Sequence, residues 1–299
     1  MVMKCKICGS DELKTIYKGQ IRDGRLGKYT ADDIQMFQCE KCDVIWHDPT
    51  SKVDSYYESS AYRSTMGEES DAEEFFKIHD YENLQKFMYT GTSIFRNRTV
   101  ADIGCGCGGF LDFLSGVAHK IVAIEPSEKY QYYMKNNRAY DVYSYAKNAI
   151  NDGYENTVDV VTSFDVIEHV EDPKEFAKDV YRLLASDGVG IIGTPTDAPV
   201  MRELLGEVYE KKQLFSTQHL WIFSKENMEL IFKEAGFEDI KIKYYQRYSI
   251  GNMLGWIRDK KPNSGIDSKK VFDSIVDYTW RAALQEKGLA DYIVAYVRK

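Results

Sequence analysis

Residues 99–110 read TVADIGCGCGGF, and this stretch decides the fold. Its first half is a short apolar run typical of a buried strand, glycines follow between 104 and 109, and a helical pattern begins at Phe110. A strand that turns through glycines into a helix brings bare backbone N–H groups close to a ligand, beside the positive end of the helix. The stretch therefore predicts a turn that holds a nucleoside-type cofactor.

The composition describes an ordinary globular protein. The chain has 299 residues, of which 43% are hydrophobic and 29% charged, enough for one large domain with an appendage or for two domains. No apolar stretch approaches the roughly 20 residues of a membrane span, and residues 1–10 lack the apolar core of a signal peptide. We therefore expect a cytoplasmic protein. The net charge of -8 disfavours nucleic acid as a partner, because proteins that neutralise phosphates usually carry the opposite balance.

Two CxxC pairs lie near the N-terminus, and their ligand candidates are Cys5, Cys8, Cys39 and Cys42. In a cytoplasmic protein such pairs are more often metal ligands than disulfides. Two tight turns with four thiolates offer the closed tetrahedral site of a structural zinc ion. We predict a zinc ribbon over residues 1–50, with strands near 14–17 and 35–38. Four free buried thiols are the alternative interpretation.

Residues 51–98 are predicted to form a hinge and then a helix over 72–95, where apolar residues recur at helical spacing. A cluster of tyrosines precedes this helix. Half-buried packing is one interpretation of these side chains. The alternative is that Tyr57 and Tyr62 form part of a lid over the cofactor.

Strands and helices alternate from residue 99 onward, which predicts an α/β domain over 99–299 with a parallel sheet covered on both faces. Helices are expected to begin after Asp172, which precedes a proline, and at Ser224. The first should end before the Asp187-Gly188 pair and the second at Gly236. Strands are predicted at 99–103, 120–124, 141–143, 158–163, 189–193, 240–245 and 291–298.

The glycine turn formally satisfies GxGxxG, so a nicotinamide dinucleotide is the first competitor, although the pattern alone is weak. Asp102 stands two residues before the first glycine, where an acid suits a cationic ligand better than a pyrophosphate. Glu125 ends the second strand, placed to accept two ribose hydroxyls, and this feature fits both cofactors. The fourth strand ends in SFDVIEHV at 163–170, and a helix begins at Pro173.

With these features the chain resembles the class I S-adenosylmethionine-dependent methyltransferases over about residues 99–298. FDVIEHVEDP at 164–173 is similar to the family's motif after the fourth strand, and DGVGIIGTPT at 187–196 to its fifth strand and turn. The resemblance implies a seven-stranded Rossmann-like sheet and S-adenosylmethionine as the cofactor. Besides the two lid tyrosines, it implies these cofactor-binding residues: Asp102, Gly104, Cys105, Gly106, Gly108, Phe110, Glu125, Pro126, Ser163, Phe164 and Asp165.

A closer resemblance is to bacterial methyltransferases that carry an N-terminal CxxC…CxxC module, many of them associated with sugars and surface polysaccharides. It is carried by QHLWIFSKENM at 218–228, AGF at 235–237 and QRYSIGN at 246–252. This resemblance implies a small carbohydrate-type acceptor, such as a sugar, a nucleotide sugar or a polysaccharide precursor. Methylation at oxygen is the first expectation, and methylation at carbon of a keto-sugar nucleotide is the second.

An alcohol acceptor must lose its proton as it attacks the methyl group, and histidine is the natural base near neutral pH. His169, just past the fourth strand, is the first candidate for a catalytic base, and His219 is the second. A purely structural role is the alternative for both. Glu168 can orient either histidine or be a solvated charge.

Functions of other classes make different predictions. An NAD-dependent sugar oxidoreductase or epimerase requires a Tyr-x-x-x-Lys pair, but four residues after Tyr209 stands Gln213. An rRNA methyltransferase with a zinc ribbon as RNA reader conflicts with the acidic net charge. A catalytically idle scaffold is disfavoured because the cofactor turn is intact. The sequence leaves the oligomeric state open.

Overall fold

The computed structural model describes residues 3–50, 58, 71–262 and 272–299. The chain divides into two compact units, which are described separately. Unit 1 consists of Met1–Thr50, Gly193–Leu230 and Lys241–Ala295, and unit 2 of Ser51–Ile192, Ile231–Ile240 and Tyr296–Lys299. The sequence-based boundaries at residues 50 and 98 remain a prediction.

The strands are β1 (Leu13–Gly19), β2 (Ile34–Cys39), β3 (Ile45–Trp46), β4 (Thr99–Ile103), β5 (Lys120–Ile124), β6 (Asp141–Tyr143), β7 (Val158–Phe164), β8 (Leu184–Pro195), β9 (Trp221–Ile222), β10 (Asp239–Tyr245) and β11 (Tyr292–Arg298). The helices are α1 (Ala72–Thr90), α2 (Gly109–Leu114), α3 (Glu128–Asn137), α4 (Ala146–Ala149), α5 (Pro173–Leu183), α6 (Pro199–Leu205), α7 (Glu207–Tyr209), α8 (Lys225–Glu234), α9 (Ile250–Asp259) and α10 (Ser274–Glu286). π-helical turns at Ile150–Tyr154 and Glu210–Leu214 follow α4 and α7. None of the helices in the described ranges is long and apolar enough to span a bilayer.

Seven strands form one sheet in the order β10-β11-β8-β7-β4-β5-β6. β4 pairs in parallel with β5 and with β7, and β5 pairs in parallel with β6. β4, β5 and β7 are almost continuously buried, as expected for central strands covered on both faces. This arrangement confirms the predicted α/β fold with its seven-stranded sheet.

The strand order reverses between β4 and β7. From β4 the chain moves outward through β5 and β6, and it then returns to β7 on the other side of β4. In open α/β sheets, ligands bind outside the carboxyl ends of the strands at such a reversal. The glycine turn that follows β4 therefore stands at the expected binding edge.

α5 begins where its capping residues predict. Asp172 Oδ1 accepts hydrogen bonds from the N–H groups of Lys174 and Glu175 at 2.9 and 3.0 Å, and Pro173 occupies the first turn. The far end also agrees with the prediction, because α5 ends at Leu183, before the Asp187-Gly188 pair, and β8 then continues through Gly188. A Cβ atom on Gly188 would lie only 3.0 Å from the Val158 carbonyl oxygen. The glycine at this position therefore allows close contact between the strands.

A smaller sheet in unit 1 has the order β1-β2-β3-β9. β1 and β2 include the two strands predicted for the N-terminal module, and they pair in an antiparallel arrangement. Its last strand comes from a distant part of the sequence, because Trp46 pairs with Trp221 and Ile45 with Ile222. A two-residue strand carries no recognisable sequence pattern, so β9 was not predicted.

Candidate functional site

The backbone of the glycine turn needs glycine at the positions predicted to touch the cofactor. Gly104, Gly106 and Gly108 have φ values of 75°, 57° and 84°, a region that other residues rarely adopt. A Cβ atom on Gly104 would collide with the side chain of Val166, and one on Gly106 would lie 2.5 Å from the Phe75 ring. Backbone conformation and neighbouring side chains therefore both exclude larger residues here.

Most N–H groups of this turn are already bonded within the chain. Gly104 and Cys105 donate to the Ile124 carbonyl, Gly106 donates to Glu125, and Gly108 donates to the Cys105 carbonyl. The expectation of bare N–H groups facing a ligand is wrong for these four residues. The reason is that the turn folds back on the end of β5, where the Ile124 carbonyl and the Glu125 carboxylate accept three of these bonds, and the fourth closes the turn on itself.

Glu125 closes the turn with both of its carboxylate oxygens. Oε2 accepts the Gly106 N–H at 2.9 Å, and Oε1 accepts the Ser127 N–H at 2.9 Å, on the far side of Pro126. Each carboxylate oxygen has a second lone pair that can accept from a ligand hydroxyl. The backbone thus fixes this side chain beside the glycine turn.

Asp102 is buried at the carboxyl end of β4. Burial raises the pKa of its carboxyl group to about 7. The hydrogen bond that Thr162 Oγ1 donates to Oδ1 at 2.7 Å and the charge of Lys86 limit this rise, whereas the charge of Glu125 adds to it. The neighbouring Ser163 hydroxyl donates to the Ile103 carbonyl and ties β7 to β4.

Lys86 is a residue of this site that sequence reasoning missed. Its Nζ lies 3.0 Å from Asp165 Oδ2, 3.1 Å from Glu82 Oε1 and 5.5 Å from the centre of the Phe164 ring. Burial alone would lower the pKa of Lys86, but the two carboxylates outweigh burial and raise it. The ion pair anchors the side chain of Asp165, whose backbone has a left-handed conformation with φ at 59°. A lysine among many polar residues of α1 gives no signal of this role.

The helix α1 packs against the glycine turn through two more residues that were not predicted. Phe75 covers Gly106, and Asn83 is so close to Gly109 that a Cβ there would lie 2.5 Å from its Nδ2. Phe75 also belongs to a buried cluster with Cys107 and Tyr130. Tyr57 and Tyr62, the predicted lid residues, lie outside the described residues.

Phe110 packs next to the site from the start of α2. Its ring centre lies 5.3 Å from that of Phe164, in an edge-to-face arrangement. This contact joins the helix that follows the glycine turn to the end of β7. Phe110 and Phe164, both predicted to bind the cofactor, thus lie in contact.

The candidate base and its acidic neighbour follow β7. Glu168 is buried, and its Oε1 lies 3.8 Å from Nε2 of His169. The His169 N–H donates to the Val166 carbonyl at 2.9 Å, which fixes the turn. His219, the second candidate, belongs to unit 1, where its N–H donates to the Ser216 carbonyl.

Four cysteines of unit 1 converge as the CxxC spacing predicts. The Sγ atoms of Cys5, Cys8, Cys39 and Cys42 all lie within 4.8 Å of one another, and the two contacts between the pairs are 3.6 and 3.5 Å. Tetrahedral zinc with Zn–S bonds of about 2.3 Å requires sulfur–sulfur distances of about 3.8 Å. This donor set fits a zinc ion closed on all four sides.

The two cysteine turns repeat one backbone design. Gly9 donates its N–H to the Cys5 carbonyl and Asp43 donates to the Cys39 carbonyl, each at 2.9 Å. Both residues have positive φ values, 73° and 63°. The matching turns place the paired thiols in equivalent positions, which a shared tetrahedral ion requires.

Comparison with known families gives one extended match. A family model described as a methyltransferase domain matches residues 75–242, more than half of the chain. The matched region begins at Phe75 in α1 and ends within β10, so it contains the glycine turn, Glu125 and the segment after β7.

Curated relatives match a shorter region. A probable S-adenosylmethionine-dependent methyltransferase of Mycolicibacterium smegmatis is 29% identical over 105 residues, which are 33% of this chain and 38% of that protein. A probable S-adenosylmethionine-dependent methyltransferase of Mycobacterium tuberculosis is 30% identical over 98 residues, 33% of this chain and 36% of that protein. The chain therefore spans less than two fifths of the length of these relatives.

Among solved structures, an S-adenosylmethionine-dependent methyltransferase of Thermotoga maritima, described as a possible histamine N-methyltransferase, shares the fold. The superposition has a TM-score of 0.50 and covers 76% of this chain and 93% of that one, at 22% sequence identity. At this identity the likeness concerns the fold alone.

Proposed function

The chain belongs to the methyltransferase-domain family, and on that premise we propose that it transfers a methyl group from S-adenosylmethionine to a small acceptor. When bound, this cofactor supplies an electrophilic methyl group on a positively charged sulfur. In such an in-line displacement the protein mainly aligns donor and acceptor. The chain's own residues must therefore bind a cation, hold the ribose and accept a proton.

One observation carries the choice of cofactor: the glycine turn lies between two carboxylates, and its N–H groups are largely bonded within the chain. A pyrophosphate needs free N–H groups and would meet the negative charges of Asp102 and Glu125. A ligand with positive charge meets a favourable field instead. This argument favours S-adenosylmethionine over a nicotinamide dinucleotide, so the oxidoreductase alternative is not favoured.

The proposed binding roles follow from this geometry. Glu125 binds the ribose hydroxyls, Asp102 and Asp165 provide negative charge, and Gly104 and Gly106 keep the turn free of side chains. The other residues proposed to surround the cofactor are Cys105, Gly108, Phe110, Pro126, Ser163 and Phe164, with Tyr57 and Tyr62 as the proposed lid.

For the acceptor we propose a small carbohydrate-type molecule that is methylated at oxygen, with methylation at carbon of a keto-sugar nucleotide as the second candidate. His169 is the proposed base. The buried Glu168 carboxylate at 3.8 Å would stabilise the imidazolium that forms when His169 takes the acceptor's proton. His219 remains the second candidate base, and the four-cysteine cluster is proposed to hold a structural zinc ion.

Calorimetric titration of the full chain tests the cofactor. S-adenosylmethionine and its demethylated product should bind, and NAD should not. Gly106→Val should abolish binding, because valine would be strained at φ 57° and would displace Phe75. Gly116→Val is the matched control, since a Cβ there meets nothing within 4 Å. Binding of NAD without S-adenosylmethionine would refute the proposal.

Mass spectrometry tests the acceptor. Pools of nucleotide sugars and glycans should gain one methyl group when the protein and the donor are added. His169→Ala should then lower turnover with little change in donor affinity, and His219→Ala is compared in parallel. Full turnover in both variants would mean that neither histidine is the base.

A further inference from the structure

Unit 1 contains a cavity of about 140 Å³ at the carboxyl ends of β8 and β10. Residues after both strands line it, namely Ala198 and Gln246, together with Asp291 just before β11. Hydrogen bonds join these chain ends: Thr196 donates its N–H to the Asp291 carbonyl, and Arg247 donates its N–H to Asp291 Oδ1 at 2.8 Å. The cavity is therefore built on fixed backbone.

Its lining combines aromatic rings with amide groups. Tyr209, Trp256 and Trp280 contribute rings, and the first two pack edge to face at 5.5 Å. Gln213, Gln246 and Asn252 contribute side-chain amides, which offer both donors and acceptors. Apolar ring faces beside paired donors and acceptors suit a ligand that has flat apolar patches and several hydroxyl groups.

Asp291 is the decisive residue of this cavity. Only 6% of it is exposed, and Oδ1 accepts from the Arg247 N–H. The Tyr248 N–H also faces this carboxyl group, but Oδ2 has no hydrogen bond within 3.5 Å among the described residues. A buried oxygen without a donor costs about 1–3 kcal/mol, more when it carries charge. Such an atom marks a place where a donor from outside the chain completes the structure.

We propose that this cavity binds a neutral, hydroxyl-rich six-membered ring of monosaccharide size, with one ligand hydroxyl donating to Oδ2 of Asp291. The inference goes beyond methyl transfer and does not depend on it. The cavity is partly open, and its volume is close to the roughly 150 Å³ of an engineered cavity that admits benzene. It therefore has room for the ring itself, with the outer hydroxyl groups reaching through the open side.

The charges around Asp291 favour a neutral ligand over a charged one. Arg247 Nε lies 3.9 Å from Asp291 Oδ1, and Arg281 donates to the carbonyls of Gln246 and Arg247. Arg281 also pairs with Asp277 at 2.8 Å, so two carboxylates balance the two guanidinium groups. A charged ligand would therefore lose its hydration without finding an unpaired counter-charge. A hydroxyl can donate to the carboxylate and accept from an amide at the same time.

The amide of Gln246 is held ready for such a contact. Its Oε1 accepts the Asp291 N–H at 3.2 Å, and its Nε2 donates one hydrogen to the Tyr248 carbonyl at 3.1 Å. The second hydrogen of Nε2 is available for a ligand oxygen. Gln246 and Asp291 thus supply a fixed donor and a fixed acceptor, the pair that neighbouring ring hydroxyls require.

Saturation-transfer NMR on the full chain, without any methyl donor, tests the inference. The probes are D-glucose, D-galactose and L-rhamnose, with choline and acetate as charged comparisons. At least one sugar should bind saturably, and Trp280→Ala should weaken its binding about tenfold through loss of a ring face. Tyr278→Ala is the matched control, because this ring lies on the same helix, is 74% exposed and does not line the cavity.

Asp291→Asn should weaken the same sugar about tenfold or more, because the charged acceptor is lost. Trp280 is only half-buried, so its variant stays informative if Asp291→Asn does not fold. Three results would overturn the inference: no sugar binds and the cavity holds water only, choline or acetate binds more tightly than every sugar, or Trp280→Ala binds unchanged. Because no donor is present, a failure of the proposed methyl transfer would not affect the result.

Discussion

Opposing effects set the pKa of the Asp102 carboxyl group. Burial disfavours its charged form, while the Thr162 hydroxyl and the charge of Lys86 favour it. The net result is a pKa raised from 3.8 to about 7, so the group changes charge near physiological pH. A cationic cofactor beside it would favour the carboxylate, and donor affinity should therefore increase as the pH rises through 7.

Asp102→Asn should change how stability depends on pH. The pKa of Asp102 is higher in the folded protein than in the unfolded chain. Its carboxyl group therefore adds to the free energy of unfolding below about pH 4, and this contribution is lost as the pH rises through 7. The full effect is on the order of 4 kcal/mol. Relative to the parent protein, Asp102→Asn should gain stability between pH 5 and pH 8, measured by urea unfolding.

Asp187→Asn is the matched control, because Asp187 is an exposed carboxyl on β8 of the same sheet. Its unfolding free energy should follow that of the parent protein at both pH values. If the unfolding free energies of Asp102→Asn and the parent protein changed in parallel with pH, Asp102 would not titrate between pH 5 and pH 8.

At the level of elements, α1 is the helix that completes the binding edge. Asp71 caps it by accepting the Glu74 N–H at 2.9 Å, and Gly91 ends it with φ at 74°. Phe75 and Lys86 lie toward opposite ends of the helix and contact the turns after β4 and β7 respectively. One helix thus fixes both turns of the predicted cofactor site.

Lys86→Met should lower the unfolding free energy by about 2 kcal/mol, because it leaves the partly buried carboxylate of Asp165 without its cation. Donor affinity should fall as well, since the left-handed turn at Asp165 loses its anchor. Chemical unfolding and calorimetry measure the two effects. The double variant Lys86→Met/Asp165→Asn should recover part of the lost stability, because it removes the unpaired charge.

Lys77→Met tests whether the effect belongs to the buried ion pair. Lys77 also pairs with an acid on α1, Glu73 at 2.7 Å, but both side chains are exposed to solvent. Exposed pairs contribute little, so this variant should leave stability and donor affinity unchanged. If the Lys77 and Lys86 variants lost stability and donor affinity equally, the proposal that Lys86 anchors Asp165 would be wrong.

At the level of the whole molecule, the N-terminal module is part of a larger unit. β3 pairs with β9, the His47 N–H donates to the Leu220 carbonyl, and Asn227 donates to the Cys42 carbonyl at 3.3 Å. A shared core joins Ile21 and Met36 to Phe215 and Trp256. The four-cysteine cluster therefore belongs to a unit that extends beyond residues 1–50.

Metal analysis should find one zinc ion per chain, lost in Cys39→Ser. Structural zinc contributes about 10–16 kcal/mol of binding free energy, so its loss should unfold the small sheet. Hydrogen exchange should then show lost protection in β1, β2, β3 and also β9. Cys107→Ser, which changes a buried cysteine outside the cluster, should keep the zinc. If β9 kept its protection from hydrogen exchange after zinc removal, β9 would not unfold together with β1, β2 and β3, and the prediction would be wrong.

The sequence by itself determined the features that depend on neighbouring residues. The φ values of Gly104, Gly106 and Gly108, the cap at Asp172 and the two CxxC turns are local requirements of the backbone, so their residue types reveal them. The alternation of strands and helices likewise predicted a parallel sheet covered on both faces, because hydrophobic periodicity is a local property, and the resemblance to the methyltransferases implied its seven strands.

Only the tertiary structure decided which distant side chains meet. The Lys86–Asp165 ion pair, Phe75 over Gly106, the pairing of Trp46 with Trp221 and the cavity around Asp291 each join segments far apart in sequence. No local pattern encodes such contacts, because they depend on the packing of whole elements. The same packing directed N–H groups of the glycine turn to the Ile124 carbonyl and the Glu125 carboxylate, and it raised the pKa of Asp102 by removing water from its carboxyl group.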